Sequence, residues 1–367
     1  MNNEKEVKME VNSLGSTNGR RPSVRSWLLK KTIQNTIVHF NSRFNSHFNF
    51  PFISLLFYLL FLAGCSHTPT QPVQLHRLEK VMFDTPAEQL QAALRDHQQE
   101  FSTPLLTLFP DDPAFMQQVG DFVSDPVIHR LYTLVDSTFG DMQKEAEALG
   151  GALEKMKELY PAMRYDKIYT FVSGMMDYES RVACNSHECL ISIDQYVLPY
   201  TAEYGFFNTP MYLVRQSDRK YLPVDCLTAM AREHIAMPDE TPTLLHYMVN
   251  EGKALYLAGE CLPKTHDSIL LRYSREQYDW MEHNEEHVWT FFLQNKLLFE
   301  TDYMRFHNFI DEAPQTNAFR DSAPRTTEYI GLRIVRKYME KTGATVEELF
   351  NETDAQKILN ESNYRPK

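Results

Sequence analysis

Glu251 raises the clearest chemical question in this 367-residue sequence. It lies in residues 241–259, which Thr241, a typical N-cap, and Pro242, typical of a first helical turn, predict to be a helix. At 100° per residue, Glu251 falls at about 340°, inside an apolar arc formed by Leu244, Leu245, Met248, Leu255, Tyr256 and Ala258. A carboxylate facing a core must be paired, bind a metal or take up a proton. Gly252, beside it, marks a position where another backbone can approach closely.

A second acidic residue, Glu285, is also predicted to face inwards. The capping box that begins at Ser274 opens a helix to about residue 299, and Glu285 falls near 340° on its apolar face. Two inward carboxylates could form an acid/base pair, or each could be structural and held by an arginine or a tyrosine. Because no histidine cluster faces them, we predict that both are buried structural carboxylates. The candidate partners are Arg325, Arg333 and Arg336.

Metal chemistry is disfavoured by the spacing of the histidines. The zinc-binding H-E-x-x-H pattern is absent, because His187-Glu188 is not followed by a second histidine at the required position. The inverted pattern H-x-x-E-H does occur at His283, Glu286 and His287. These three side chains fall at about 140°, 80° and 180°, opposite the apolar face, and so point to solvent. Glycine-rich phosphate loops and G-x-S-x-G elbows are also missing, so we predict no catalytic residue, no metal and no cofactor.

Four cysteines follow residue 65 and are candidates for disulfides. Cys184 and Cys189 could close a hairpin turn. A short proline-containing link should make the two predicted helices that follow residue 225 antiparallel neighbours. Cys226 lies near the start of the first helix and Cys261 near the end of the second, so these two cysteines could also meet. Disulfides persist in the compartments that exported proteins reach. A metal site at these cysteines would need a second pair of ligands at the right spacing, so disulfides or free thiols are the better prediction.

The N-terminal segment differs from the rest of the chain in charge and hydropathy. Of 37 Lys+Arg and 49 Asp+Glu, residues 1–64 hold 8 and 3, which leaves 29 and 46 and a formal charge of −17 for the remainder. Such an acidic surface argues against nucleic acid as a partner. Apolar residues run from Phe52 to Leu62, a length typical of a signal peptide and too short to span a bilayer comfortably.

The motif that ends this apolar run, Leu62-Ala63-Gly64-Cys65, looks like a bacterial lipobox. We therefore predict lipidation of Cys65 and a membrane anchor; the alternative is an ordinary signal peptide or a short anchor that happens to meet a cysteine. The predicted organisation is a signal peptide with an N-terminal extension (1–64), a lipidated tether (65–76) and a single helical domain (77–367).

Hydrophobic periodicity predicts a mainly helical α+β fold. Strands are expected over 167–172 and 189–197, joined through a turn into a small antiparallel sheet. Helices are expected over 85–100, 112–122, 126–139, 141–160, 225–236, 242–258, 274–299 and 327–341, with two short ones after Thr345 that end near Ser362. A capping box at Thr85 opens the first of these helices, Gly343 ends the helix over 327–341, and Thr345 caps the short helix that follows.

Several motifs, in this order, resemble those of the gliding-motility lipoprotein GldB family. They are YTFVSG at 169–174, ISIDQY at 191–196, MVNEGKALY at 248–256, NEEHVWTFF at 284–292, APR at 323–325 and YIGLRIVRKYM at 329–339. The resemblance implies an envelope lipoprotein linked to gliding and to the associated secretion apparatus. In this group an acidic run after the lipidated cysteine is expected for surface export, and residues 66–71 lack one, so a periplasm-facing position in the cell envelope is expected. It also implies a distant similarity to zincin peptidases, in which Glu251 would occupy the place of the third zinc ligand. The preceding segment, residues 225–235, holds a single histidine, His234, so the resemblance implies a zincin-like scaffold without its metal.

Two functional hypotheses follow from these observations. The first is a non-catalytic accessory or scaffold protein, anchored to the membrane through Cys65 and bound to envelope proteins of a motility or secretion machine. The second is a zincin-like metallohydrolase acting on envelope proteins or peptides. The metal content of the purified protein distinguishes them, because only the second requires a bound ion.

Overall fold

A computed structural model describes residues 71–174, 181–199, 201–206 and 208–366. The predicted signal peptide and the predicted lipidation site, Cys65, lie outside these residues. Part of the segment predicted to be a tether is built into the fold, because the Val73 N–H donates to the Ala146 carbonyl (3.0 Å) and strand pairing includes Leu75. In the part of the chain that is described, none of the helices is both long and apolar enough to cross a membrane.

Four short strands form one mixed sheet in the order β1-β2-β4-β3. They are β1 (Leu75–Arg77), β2 (Lys167–Phe171), β3 (Val182–Cys184) and β4 (Glu188–Ser192). β2 pairs with β1 and β4 in parallel, and only β3 and β4 are antiparallel. The α+β class is confirmed, but the expected antiparallel pairing of the two longer strands is wrong. The reason is topological: β3 lies between them in sequence and reverses the chain, so β4 runs in the same direction as β2.

The first half of the described chain contributes five helices. They are α1 (Leu78–Phe83), α2 (Leu90–Asp96), α3 (Pro113–Ser124), α4 (Pro126–Phe139) and α5 (Gln143–Leu159). Asp112 and Asp125 cap α3 and α4 with their side chains, and each of these helices has proline at its start. The predicted capping box at Thr85 is wrong, since that segment begins as a short 3₁₀ helix without a side-chain cap. A small apolar core gathers Leu78, Leu90, Leu94, Phe101, Leu108, Val119 and Tyr169.

The second half contributes the helices that build the main core. They are α6 (Thr201–Phe206), α7 (Met211–Val214), α8 (Leu222–Arg232), α9 (Leu244–Cys261), α10 (Asp267–Leu270), α11 (Arg275–Gln294), α12 (Tyr303–Phe306), α13 (Thr326–Thr342), α14 (Val346–Asn351) and α15 (Ala355–Ser362). The predicted caps of α11 at Ser274, of α13 at Gly343 and of α14 at Thr345 are confirmed. Helix α9 begins two residues later than predicted, because Thr243 is its N-cap and its N–H donates to His246 Nδ1 (3.1 Å).

Helices α9 and α13 cross with their backbones in contact. A Cβ built on Gly252 would lie 2.4 Å from the Gly331 carbonyl carbon, and one built on Gly331 would lie 1.9 Å from the Met248 carbonyl oxygen. The close approach predicted at Gly252 is therefore confirmed. Only glycine allows helix axes to come this near, so this pair of residues fixes where the two central helices meet.

Candidate functional site

Two connected cavities form one cleft in the second half of the molecule. Their volumes are about 600 and 380 Å³, and they share Tyr212, Gln216, Arg272 and Glu312 as lining residues. The walls come from α7, α8, the start of α11, and the segments around residues 303–313 and 324–325. The charged lining residues are Arg181, Arg215, Lys220, Arg232, Arg272, Arg275 and Arg325, together with Asp225, Asp311 and Glu312.

A chain of ion pairs runs along the wall of this cleft. Arg272 Nη1 donates to Asp225 Oδ1 (3.2 Å), and its Nη2 lies 3.9 Å from Glu328 Oε1. Glu328 also accepts from Arg325, whose Nε lies 2.9 Å from Glu312 Oε2. Tyr196 extends the chain by donating its hydroxyl proton to Asp225 Oδ2 (2.8 Å). The network joins five separate segments of the chain, so it connects the cleft to the core from several directions.

Arg325 is the most deeply buried cation of this network, with only 2% of its surface exposed. Burial alone would lower the pKa of its guanidinium, but Glu312 and Glu328 raise it, so the group stays charged. Its Nη2 also donates to the Leu271 carbonyl (2.8 Å). Arg325 thereby connects the start of α13 to the end of α10 and to the segment around Glu312.

One face of α8 lines the cleft. Asp225, Thr228, Ala229 and Arg232 occur at spacings of three, four and seven residues, which places them on the same side of a helix. None of these four residues was predicted from the sequence to belong to a site. The available signal was an acidic and a basic side chain two turns apart on one face of an otherwise apolar helix.

Glu251 lies beside this face and pairs with α8. Its carboxylate accepts two hydrogen bonds from Arg232, from Nε to Oε1 (3.0 Å) and from Nη2 to Oε2 (2.7 Å). Its side chain is 28% exposed, so the prediction of full burial is wrong, and its partner is not Arg325 or Arg333 as expected. The partner, Arg232, lies on α8, and a helical projection of α9 alone cannot show the residues of another helix. Burial opposes ionisation of Glu251, but Arg232 holds its pKa below the ordinary value of 4.5.

Glu285 fits the predicted structural role. It is 4% exposed, accepts a hydrogen bond from the Tyr364 hydroxyl (2.7 Å), and lies 3.5 Å from Arg333 Nε. These are an arginine and a tyrosine, the two partner types that the sequence predicted. The structure does not bring Glu251 and Glu285 into one site, since they share no partner among the described residues.

The remaining sequence candidates lie apart from the cleft. His283, Glu286 and His287 are exposed on α11, as their helical angles predicted. Cys184 and Cys189 form a disulfide across the β3–β4 hairpin, whereas Cys226 and Cys261 are free and buried, so the second candidate pair is not formed. Within the described ranges, no group of three His, Cys, Asp or Glu side chains is arranged to hold a metal ion.

The arginines of this cleft are held mainly by carboxylates, and their remaining N–H groups can donate to polar or anionic groups. Guanidinium groups present several N–H donors in a planar fork that matches a carboxylate, and they remain charged at any physiological pH. The acidic lining residues limit how much negative charge the cleft accepts. A hydrophilic cleft that mixes arginine with tyrosine is typical of surfaces that bind polar ligands or other proteins.

Comparison with known proteins identifies the family. The family described as "Gliding motility protein GldB" matches residues 65–366, which is most of the chain and begins at the cysteine of the lipobox-like motif. No curated protein and no solved structure matches the chain. The chain therefore belongs to the GldB family of gliding-motility lipoproteins.

Proposed function

We propose that this chain is an envelope-anchored lipoprotein that acts as a non-catalytic accessory or scaffold component of a gliding-motility or associated secretion machine. The anchor is Cys65, and the folded part faces the periplasm. Family membership supports a role in motility, and the start of the family match at residue 65 agrees with a lipidated cysteine there.

The observation that carries the non-catalytic assignment is the pairing of the charged groups around the cleft. Asp225 is bound by Arg272 and Tyr196, Glu328 by Arg325, and Glu251 by Arg232. A general acid or base must change its protonation state near the working pH. Arg232 lowers the pKa of Glu251, which keeps this carboxylate ionised and unsuited to such a role. Mutual pairing of this kind stabilises a defined surface, as a scaffold requires.

Lipid anchoring is tested by replacing the cysteine. Cys65→Ser is expected to leave an unprocessed precursor and to abolish labelling by a clickable fatty acid, because the acylated thiol is gone. Cys261→Ser is the matched control, since that buried cysteine lies far from the leader in sequence and should leave labelling unchanged. Labelling of the Cys65→Ser protein at the wild-type level would refute the anchor.

The non-catalytic role is tested in the native bacterium with a Glu251→Gln allele. Deleting the gene is expected to abolish colony spreading, whereas Glu251→Gln should keep spreading in proportion to the amount of protein present. A normal protein level without spreading would assign Glu251 to a binding or catalytic site. Elemental analysis adds a second measurement: one tightly held zinc per chain, lost in Glu251→Ala, would support the metallohydrolase hypothesis instead.

A further inference from the structure

The larger cavity of the cleft opens beside an edge of the sheet. In the order β1-β2-β4-β3, strand β3 is an outer strand with a neighbour on one side only. Arg181, which precedes β3, and Val182, its first residue, both line this cavity. Successive side chains of an extended chain point to opposite faces of a sheet. A cavity that touches both residues therefore borders the edge of β3 and not one of its faces.

The hydrogen bonds of the β3–β4 hairpin determine which backbone groups point to that edge. The Ser192 N–H donates to the Arg181 carbonyl (2.9 Å), and the Asn185 N–H donates to the Glu188 carbonyl (3.0 Å). Hydrogen-bonded and non-hydrogen-bonded pairs alternate along an antiparallel ladder. Val182, one residue after Arg181, therefore points its N–H and C=O groups away from β4.

Cys184 has the same orientation as Val182, because it lies two residues further along β3. Its Cα lies 4.2 Å from that of Cys189, a short spacing typical of a pair that exchanges no backbone hydrogen bonds. Two N–H and two C=O groups thus face the free edge, and in the part of the chain that the structure describes none of them has a hydrogen-bond partner. An unpaired strand edge is a template for another extended chain.

The charges around this edge do not favour a charged ligand. Three arginines of the larger cavity are already held by carboxylates, in the pairs Arg272 with Asp225, Arg232 with Glu251, and Arg325 with Glu312 and Glu328. Arg181 donates to the carbonyls of Gln216 (2.6 Å) and Leu213 (3.1 Å). A ligand that offers uncharged main-chain groups to β3 leaves all of these contacts intact. Alternating N–H and C=O groups at the spacing of a strand are supplied by an extended polypeptide.

The same cavity provides apolar contacts for the side chains of such a polypeptide. Ala229 of α8 and Ile310 line it together with Val182, and Tyr303 adds an aromatic ring that is 43% exposed. The cavity volume of about 600 Å³ is large enough for a short extended segment. Main-chain bonds at the strand and side-chain contacts in the cavity can therefore act on one ligand.

We propose that the free edge of β3 binds an extended, uncharged segment of a partner protein as a fifth strand of the sheet, with Val182 and Cys184 forming the main-chain hydrogen bonds. The proposal rests on the scaffold role proposed above and gives the mode in which the partner is recognised. In recognition by strand addition, backbone hydrogen bonds provide affinity and contacts to alternate side chains provide selectivity.

The test uses the full chain, purified from membranes in detergent, and a fluorescein-labelled heptapeptide of alternating threonine and valine. Fluorescence anisotropy is expected to show saturable binding that changes less than twofold as salt is raised, because salt screens charges and not main-chain hydrogen bonds. The same peptide, N-methylated at its central residues, keeps the side chains but lacks the N–H donors, and should displace the probe at least tenfold less well than the unmodified peptide. Equal displacement by the two peptides, or no binding by the wild type, would refute the proposal.

A matched pair of substitutions locates the binding edge. Val182→Pro removes an N–H that points away from β4 and leaves the β3–β4 ladder intact, so it is expected to weaken peptide binding at least tenfold. Val182→Thr keeps the N–H and the branched shape, and it should change binding less than twofold. Equal binding by the two variants would contradict the assignment of the edge. If Val182→Pro does not fold, the N-methylated peptide decides the question with the unaltered protein.

A second copy of the chain is the competing occupant of this edge. Sedimentation velocity of the detergent-solubilised wild type is expected to show a monomer. A dimer that Val182→Pro dissociates would mean that β3 pairs with itself, and it would overturn the proposal. None of these results bears on the scaffold role, which is measured by colony spreading.

Discussion

Two sides of helix α9 are stabilised by different interactions, one by close backbone packing and the other by an ion pair. Towards α13 it presents Gly252 against Gly331, a dry contact in which the backbones touch. One residue earlier, towards α8, it presents Glu251, which Arg232 holds through two hydrogen bonds in a partly exposed position. The first contact depends on the absence of a side chain, whereas the second depends on the presence of a partner. Steric contacts of this kind tolerate no added atoms, but ion pairs weaken gradually with exposure and pH.

The largest effect is expected in the ion-pair network of the cleft, at its buried centre, Arg325. Arg325→Met is expected to lower the free energy of unfolding by about 3–5 kcal/mol, because it leaves Glu312 and Glu328 without their shared cation in the interior. Chemical denaturation measures the change. Arg320→Met, the same substitution at an exposed arginine, should stay within about 0.5 kcal/mol of the wild type. If both variants unfold at the same denaturant concentration as the wild type, the ion-pair chain does not stabilise the fold.

The second largest loss of stability is expected at the dry contact between α9 and α13. Gly331→Ala is expected to cost about 1–3 kcal/mol, since the new Cβ would meet the Met248 carbonyl and force α9 and α13 apart. Gly120→Ala is the control, because that glycine lies inside α3 with open space around it. Alanine is the better helix former, so the control should gain about 0.5–1 kcal/mol. Opposite signs in thermal unfolding would confirm the contrast, and a neutral Gly331→Ala would contradict it.

The smallest change is expected at the partly exposed ion pair. Glu251→Gln should cost about 1 kcal/mol at pH 7, less than a fully buried pair, because solvent screens the contact. The pKa of Glu251 is lowered in the folded protein, so this stabilisation is present above the ordinary carboxyl pKa and is lost as pH falls through the folded value. Unfolding of both proteins at pH 7 and at pH 3 measures it. A difference that grows on acidification would contradict the assignment.

The arginine partner provides the complementary measurement for that pair. If Arg232 and Glu251 interact mainly with each other, the combined replacement Arg232→Gln with Glu251→Gln should cost less than the sum of the single changes. Additive costs would mean that Arg232 serves other contacts in the cleft.

Much of the fold could be predicted from local sequence. The helices α3 to α5, α8, α9, α11 and α13 to α15 follow from apolar spacing, whereas the single turns α10 and α12 were not predicted. The caps at Ser274 and Thr345 follow from side chains within four residues, and the end of α13 follows from the positive φ that Gly343 can adopt. One error occurred where two local signals competed. Both Thr241 and Thr243 can cap a helix, and only the bond between Thr243 and His246 selects the second.

Local sequence is enough to predict that Glu285 faces the protein core from α11, that Gly252 meets another backbone, and that His283 and His287 point to solvent. Each of these follows from the 3.6-residue period of a single helix. Which acidic and basic side chains pair depends on the folded arrangement of the helices and loops. Arg325 was one candidate partner of Glu251 and instead binds Glu312 and Glu328. Coulomb energy depends on distance in space, and the cleft brings together side chains from elements that are far apart in sequence, so helical periodicity cannot locate their partners.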